Sequence, residues 1–218
     1  MALIVQKYGG TSVGSVEKIQ NVAKKVIATK NAGNQVVVVV SAMGATTDDL
    51  ITKLKDISKD FSPREYDQLV STGENISAAL LAAAVIAQGD KAVSLTGWQA
   101  GISTEDSHMK CKIIDVNAER IKTELADGKI VVITGFQGIN SKGDITTIGR
   151  GGSDTSAVVI AAAISADTCE IYTDVDGVYT TDPRVLPEAR RLETISHEEM
   201  LEMASLGAGI MHPRSIES

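Results

Sequence analysis

Two glycine-rich segments, each directly before a predicted helix, carry the charged side chains best suited to chemistry. KYGGTS, residues 7–12, places Lys7 at the end of an apolar segment with Gly9 and Gly10 close behind it. GRGGSDTS, residues 149–156, places Arg150 and Asp154 on either side of two glycines. Glycine lets backbone N–H groups approach a ligand closely, and a helix N-terminus favours an anion. Both segments therefore predict a cradle for phosphate or carboxylate groups.

Each of these residues also has a purely structural interpretation. Gly9 and Gly10 could form a tight strand-to-helix turn, Arg150 could be a solvated surface charge, and Asp154 could cap its helix. In the functional interpretation, the Arg150 guanidinium binds a carboxylate or phosphate in bidentate fashion, and Asp154 faces lysine side chains. Glu74 follows STG at a predicted helix start. It could interact with the helix dipole or receive a substrate ammonium group.

A third polar segment, TDVDGVYTTDPR at residues 173–184, is rich in aspartate. It is not an EF-hand calcium loop, because Gly177 is fourth from Asp174 and the EF-hand needs glycine at its sixth position. A loop that binds a nucleoside, with Arg184 near phosphate, fits better than calcium binding. A simple turn around Asp182 and Pro183 is the structural alternative.

The histidines suggest neither a zinc site nor a catalytic triad. His197 begins HEEML, which lacks the second histidine of HExxH. No zinc-ligand set and no Ser/His/Asp arrangement appears around His108, His197 or His212, so we interpret all three histidines as structural. The sequence predicts no protein-built metal site.

Composition predicts the fold that must position these segments. Hydrophobic residues make up 43% of the 218 residues but aromatic residues only 3%, so the core must consist of Val, Ile, Leu and Ala. Apolar strands such as QVVVVV alternate with amphipathic or Ala-rich helices along the whole chain. This pattern is typical of an α/β sandwich with a mostly parallel central sheet. Loops at the carboxyl ends of such strands share one crevice, so we expect the polar segments to meet there.

Charge and cysteine content exclude several other classes of protein. The net charge is −7, which argues against nucleic-acid binding. No signal peptide and no apolar run of membrane-spanning length is visible, so we predict no membrane partner. Cys111 and Cys169 are interpreted as reduced thiols of a cytoplasmic protein.

The polar segments, in their order along the chain, resemble one family. They are KYGGTS, VSAM, STGE, GFQG, TIGRGGSDTSA, YTDVDGVYTTDPR and EMLEMASLGAGIMHPR. From Met1 to Ser218 the chain resembles the catalytic domain of the aspartate kinases, within the amino-acid kinase family. The resemblance implies a three-layer α/β/α sandwich. It also implies phosphorylation of the β-carboxylate of L-aspartate by ATP and Mg²⁺ to give 4-phospho-L-aspartate, the first step toward lysine, threonine and methionine.

The resemblance also implies roles for individual residues. Lys7 would stabilise the transferring phosphoryl group, and Asp154 would organise that lysine. Glu74 would bind the substrate amino group and Arg150 its α-carboxylate; the implied substrate-binding set is Thr47, Glu74, Arg150, Gly151, Gly152 and Ser153. The implied ATP-binding set is Lys7, Tyr8, Gly9, Gly10, Ser41, Thr173, Asp174, Tyr179, Arg184 and Gly209. Gly209 stands where many relatives have lysine.

Further expectations concern the organisation of the protein. Residues 1–218 are expected to form one catalytic domain that ends before the family's last strands and its paired ACT regulatory domains. The full-length protein is expected to be a homodimer or a larger oligomer. The alternatives are a related kinase of the glutamate 5-kinase, acetylglutamate kinase or UMP kinase type, and an inactive nucleotide-binding fragment.

Overall fold

The structure is a computed structural model that describes residues 1–206, 211 and 213–217. Its strands are β1 (Leu3–Tyr8), β2 (Gln35–Val40), β3 (Ala92–Leu95), β4 (Ile102–Thr104), β5 (Ile113–Val116), β6 (Ile130–Thr134), β7 (Gln137–Ile139), β8 (Ile145–Thr147) and β9 (Thr168–Tyr172). Its helices are α1 (Val16–Asn31), α2 (Thr46–Ile57), α3 (Pro63–Val70), α4 (Thr72–Ala87), α5 (Glu119–Ala126), α6 (Gly152–Ala163), α7 (His197–Ser205) and α8 (Pro213–Glu217).

A five-stranded parallel sheet in the order β3-β6-β2-β1-β9 forms the centre of the fold. The β-branched run of β2 is buried from Val36 to Val40 because helices cover both faces of the sheet. Its neighbours β1 and β6 are largely buried for the same reason. The parallel arrangement brings the carboxyl ends of β1, β2 and β6 to one edge.

Two apolar clusters, one on each face of this sheet, form the core. The first combines β-strand residues with Ile19, Val22 and Val26 of α1 and Leu81 and Val85 of α4. The second combines the opposite strand face with residues of α5 and α6. These layers confirm the predicted α/β/α sandwich with a mostly parallel central sheet.

A second, four-stranded mixed sheet in the order β5-β4-β7-β8 lies beside the first. The sequence predicts its β7–β8 hairpin, with Lys142 and Gly143 at the turn, and the two strands pair antiparallel as expected. The hydrophobic pattern of these short strands does not predict that they form a separate sheet. Strand β8 ends at Thr147, directly before the Gly149–Gly152 segment, so this sheet positions one of the two cradles.

Serine side chains cap two helices, and a third helix begins without a side-chain cap. Ser15 caps α1, and Ser196 with Glu199 forms the predicted capping box of α7. Helix α6 instead begins after Gly151, which adopts a left-handed conformation (φ 72°) and offers no side-chain cap. The helix-capping interpretation of Asp154 is therefore wrong, and its carboxylate is available for another partner.

One helical stretch within the described residues, Pro63–Ala87, is long and apolar enough by length and composition to cross a membrane. Half of its most apolar window is buried inside the fold, as is common for a helix in a protein core. The stretch is thus weak support for a membrane span.

Cys111 and Cys169 are both free thiols.

Candidate active site

A cleft of about 320 Å³ lies beyond the carboxyl ends of β1, β2 and β6. It is lined by residues from both glycine-rich segments, from the loops that follow β2 and β6, and from the first turns of α2 and α4: Lys7, Gly10, Ser41, Ala42, Gly44, Thr47, Glu74, Phe136, Gly149, Arg150, Gly151, Gly152, Ser153 and Asp154. The two glycine-rich segments, residues 7–12 and 149–156, therefore line one shared cavity.

Lys7 and Asp154 form the ion pair at the floor of this cleft. The Nζ atom of Lys7 lies 2.6 Å from Oδ1 of Asp154, and both side chains are largely buried. Lys7 extends from β1, and Asp154 lies in the first turn of α6. The pair holds a cation next to a helix N-terminus, which concentrates positive charge where an anionic group would lie.

The loop after β1 packs tightly against the loop after β2. The Gly44 N–H donates to the carbonyl of Gly10 at 3.0 Å. A Cβ atom at Gly10 would lie only 2.7 Å from the Ala42 carbonyl oxygen, so a side chain there would force the two loops apart. At Gly9 a Cβ would lie at an ordinary contact distance, 3.5 Å, from Nζ of Lys7. Gly10 is thus required by packing, whereas Gly9 leaves space beside the ammonium group.

Glu74 is a buried carboxylate with one bonded and one unbonded oxygen. The Ala42 N–H donates to Oε1 at 3.1 Å, whereas Oε2 is buried without a partner. Burial raises the pKa of Glu74 from 4.5 to about 7, and the Ala42 hydrogen bond opposes only part of that shift. A buried acceptor with no donor is costly, so Oε2 is suited to a ligand that brings its own donor.

Arg150 lies in the loop between β8 and α6, which lines one side of the cleft. It is flanked by Gly149 (φ 86°) and Gly151 (φ 72°), which take conformations that other residues rarely adopt. The side chain is exposed and, among the residues that the structure describes, it makes no hydrogen bond or ion pair. Ser153 lines the same wall and is buried. The guanidinium is thus available to bind an anion.

The predicted nucleotide residues after β9 lie apart from this cleft. Thr173, Asp174, Tyr179 and Arg184 belong to one exposed segment that begins where β9 ends, and none of the four lines the cavity. The segment starts close to the first cradle, because the Gly9 N–H donates to the Tyr172 carbonyl. The Arg184 guanidinium is hydrogen-bonded to Asp182.

Tyr8 and Gly209 are also predicted to bind ATP. The Tyr8 side chain is 1% exposed and stacks on Tyr172 in the core, so only its backbone could face a ligand. Gly209 and His212 lie outside the described residues. Among the residues that are described, no group of three or more His, Cys, Asp or Glu side chains could hold a metal ion.

Sequence reasoning assigned no individual role to three cleft residues: Ala42, Gly44 and Phe136. Ala42 acts through its backbone N–H, which no residue type reveals. Phe136 is recognisable only by its position in GFQG, directly after the buried strand β6. Phe136 adopts φ 71°, and its N–H donates a hydrogen bond to the Ser156 hydroxyl oxygen at 3.1 Å.

Comparison with known proteins adds independent information about this arrangement. Residues 2–218 match the model of the amino acid kinase family. The chain is 58% identical over 217 residues to aspartokinase of Geobacillus stearothermophilus and, to the same degree, to aspartokinase 2 of Bacillus subtilis. Each alignment covers 100% of this chain and 53% of the relative. The chain therefore spans about half the length of the curated relatives it matches.

Solved structures show the same similarity. Aspartate kinase from Synechocystis superposes with a TM-score of 0.86 at 52% identity, over 99% of this chain and 36% of that one. Aspartokinase III of E. coli, solved in complex with aspartate and ADP, superposes with a TM-score of 0.87 at 28% identity, over 98% of this chain and 58% of that one. The match of the whole chain to the family model, together with the fold and the cleft, shows that this protein belongs to the amino acid kinase family.

Proposed function

We propose that residues 1–218 form a catalytic domain that transfers the γ-phosphoryl group of ATP to the β-carboxylate of L-aspartate. The products are 4-phospho-L-aspartate and ADP. The observation that carries this proposal is the meeting of three groups in one cleft: the Lys7 ammonium, the unpartnered oxygen of Glu74, and the Arg150 guanidinium, which pairs with no residue in the described part of the chain. The 58% identity to an aspartokinase supports the choice of acceptor.

The charge pattern of the cleft matches an amino-acid acceptor. Glu74 Oε2 accepts hydrogen bonds from the α-ammonium group, and Arg150 binds the α-carboxylate in bidentate fashion. Thr47 and Ser153, with the backbone of Gly151 and Gly152, complete the substrate contacts. With both charged groups of the α-carbon held, the β-carboxylate points toward Lys7 and the phosphate cradle. A nucleotide acceptor has no ammonium group and would leave Glu74 without a partner.

Phosphoryl transfer at this site needs positioning and positive charge rather than a general base. A carboxylate with a pKa near ~3.9 is already ionised at neutral pH and attacks directly. One carboxylate oxygen forms a bond to the γ-phosphorus while the bond to the bridging oxygen of ADP breaks. Lys7 and the Gly10 N–H group stabilise the charge on the transferring group. Asp154 keeps the Lys7 ammonium in place.

The nucleotide and its metal would arrive together. The phosphates would bind beside Gly10 and Ser41, which line the cleft, with Gly9 and the Tyr8 backbone next to them. The nucleoside would bind to the segment that holds Thr173, Asp174, Tyr179 and Arg184. Mg²⁺ is usually held by phosphate oxygens, water and one or two carboxylates, so the cleft fits it without a protein-built cage. When bound, Mg²⁺ neutralises phosphate charge during transfer.

The proposal is tested by trapping the acyl phosphate with hydroxylamine. The purified chain is incubated with ATP, Mg²⁺ and L-aspartate, L-glutamate, N-acetyl-L-glutamate or UMP, and hydroxamate and ADP are both measured. We expect hydroxamate with L-aspartate and at most traces with the others. Product from another acceptor would reassign the substrate. Nucleotide binding in calorimetry without any turnover would indicate a binding module instead.

The product also suggests a biological setting. We propose that this activity supplies lysine, threonine and methionine biosynthesis in the cytoplasm, and that the full-length protein is a homodimer or larger oligomer.

A further inference from the structure

A buried carboxylate outside the cleft, Asp67, is used by none of the steps above. It lies on α3 and is 0% exposed, yet it does not line the cavity. Burying a carboxylate is expensive unless donors surround it. The identity of those donors indicates what this residue does.

Asp67 accepts hydrogen bonds from two separate segments. The Met109 N–H donates to both carboxylate oxygens, at 3.1 and 3.0 Å, and Nδ1 of His108 lies 2.8 Å from Oδ2. The Thr147 hydroxyl donates to Oδ1 at 2.5 Å. Met109 adopts φ 69°, a conformation that costs a non-glycine residue free energy and persists only when neighbours impose it.

Both segments lead to the Arg150 loop. Thr147 is the last residue of β8 and is fully buried, and Gly149 and Arg150 follow within three positions. The Cys111 N–H donates to the Thr147 carbonyl at 2.9 Å, which ties the His108–Met109 segment to the same strand end. A Cβ atom at Gly149 would lie 3.1 Å from the Met109 carbonyl oxygen, so that segment also packs directly beneath the loop.

The other side of Asp67 leads to Glu74. Helix α3 passes through Ser71 directly into α4, whose first turn carries Glu74. The Ser71 carbonyl accepts a hydrogen bond from the Gln137 side chain at 2.8 Å, which fixes this junction against β7. Asp67 therefore connects the element that holds the ammonium-binding carboxylate to the strand that holds the guanidinium.

We propose that Asp67 is a positioning residue that sets the distance between Glu74 and Arg150, and so the fit of the amino-acid acceptor. The inference rests on the proposed function for its substrate but on described contacts for its geometry. Loss of the Asp67–Thr147 bond frees the end of β8 and lets the Arg150 loop move relative to Glu74. The nucleotide cradle, built on β1 and β2, keeps its place. Binding of the acceptor weakens selectively.

The test compares Thr147→Val with Thr146→Val. Both changes remove one hydroxyl from the same buried strand, but Thr146 bonds to Thr104 rather than to Asp67. We expect Thr147→Val to raise KM for L-aspartate by roughly tenfold to a hundredfold, since small misplacements of binding groups have effects of this size. KM for ATP should stay within about twofold of the wild-type value, and Thr146→Val should change neither constant beyond that range.

Amide hydrogen exchange gives a second readout that needs no substrate. In Thr147→Val, exchange of residues 148–152 should accelerate, while Thr146→Val should leave this segment unchanged. Equal behaviour of the two variants in KM and exchange, or an equal rise in both KM values for Thr147→Val, would overturn the inference. If Thr147→Val does not fold, Asp67→Asn must show the same selective pattern for the inference to stand. Failure of the wild-type chain to phosphorylate L-aspartate would instead refute the proposed function, and the exchange comparison would still decide the role of Asp67.

Discussion

The Lys7 ammonium lies 2.6 Å from the Asp154 carboxylate, although the two residues are 147 positions apart in the sequence and belong to different layers of the fold. Lys7 is the penultimate residue of β1, an interior strand of the sheet, and Asp154 lies in the first turn of a helix that packs on one sheet face. The pair fixes one cation at the point where both glycine-rich loops open. Because the two charges face each other, removing the Lys7 charge alone and removing both charges should affect turnover and stability differently.

Replacing Lys7 with methionine should abolish most turnover. The variant keeps side-chain length but removes the charge that stabilises the transferring phosphoryl group. We expect kcat to fall by at least about 10²–10³-fold, as when one transition-state donor is removed. Coupled detection of ADP measures the effect, and near-UV circular dichroism checks the fold. Near-normal kcat would refute the catalytic role of Lys7.

The stability of the same variant should depend on Asp154. Lys7→Met leaves a largely buried carboxylate without its counter-charge, which costs several kcal/mol in comparable pairs. The double variant Lys7→Met with Asp154→Asn should regain most of that loss while remaining inactive. Urea denaturation of both proteins provides the comparison. No recovery in the double variant would mean that Asp154 is stabilised by something other than the ion pair.

Arg150 should affect substrate binding without affecting stability. Its side chain is exposed and, in the described part of the chain, bonds to nothing, so Arg150→Ala should leave the unfolding midpoint almost unchanged. KM for L-aspartate should rise by roughly 10²-fold through loss of a bidentate contact, and Arg150→Lys should recover only part of it. Initial-rate measurements with aspartate and ATP varied separately would show this. An equal rise in KM for ATP would place Arg150 on the nucleotide instead.

Glu74 should make the ligand-free protein less stable as pH rises. Below about pH 4.5 its carboxyl is protonated in both the folded and the unfolded chain. Between there and about pH 7 the unfolded chain loses the proton first, so the free energy of unfolding falls, and it levels off above pH 7. Glu74→Gln should therefore gain stability relative to wild type at pH 8, by up to about 3 kcal/mol more than at pH 4.

Glu124→Gln is the matched control for this pH series. Hydrogen bonds from Lys129, together with those from Arg120, lower the pKa of Glu124, so its contribution has the opposite sign. That contribution is present above the unfolded pKa and is lost as pH falls, and Glu124→Gln should be destabilised at pH 8. Parallel pH profiles for the two variants would contradict the assigned effect of burial at Glu74.

Gly10 and Gly9 should respond differently to the same substitution. A Cβ at Gly10 would lie 2.7 Å from a backbone oxygen, whereas at Gly9 its nearest contact is 3.5 Å away. Gly10→Ala should cost about 1–3 kcal/mol of stability through overpacking, and Gly9→Ala much less. Thermal unfolding of the two variants measures the difference. Equal midpoints would show that the loops yield without cost.

Much of the fold could be predicted because local pattern and tertiary environment agree. The Val run of β2 is buried on both faces as its composition requires, and Ser196 with Glu199 caps α7 as its spacing predicts. The sequence pattern predicts that α1 begins near Val13 and α4 near Glu74, whereas the helices begin at Val16 and Thr72, since helix starts depend on backbone geometry at each end. The separate small sheet was missed because its strands are too short to show a period.

The sequence predicted site residues that are charged or lie beside glycines, and it missed residues that contribute only backbone groups. Lys7, Arg150 and Glu74 meet in the cleft as expected, but Ala42 contributes an N–H group that no side chain announces. The role of Asp67 could not be predicted from the sequence for a different reason. A single acidic residue on a helix is indistinguishable from a surface charge until its donors, far away in sequence, are seen.

The pairing of β1 has a consequence for synthesis on the ribosome. In the sheet, Gln6 of β1 is opposite Glu170 of β9, and 164 positions separate them. At ordinary translation rates the intervening chain takes roughly 10–30 s to emerge. During that time one edge of β1 has no native partner, and an unpaired strand edge is a template for pairing with another chain. Chaperone demand during translation should therefore fall once β9 has left the exit tunnel, and the Lys7 side of the cleft is complete only then.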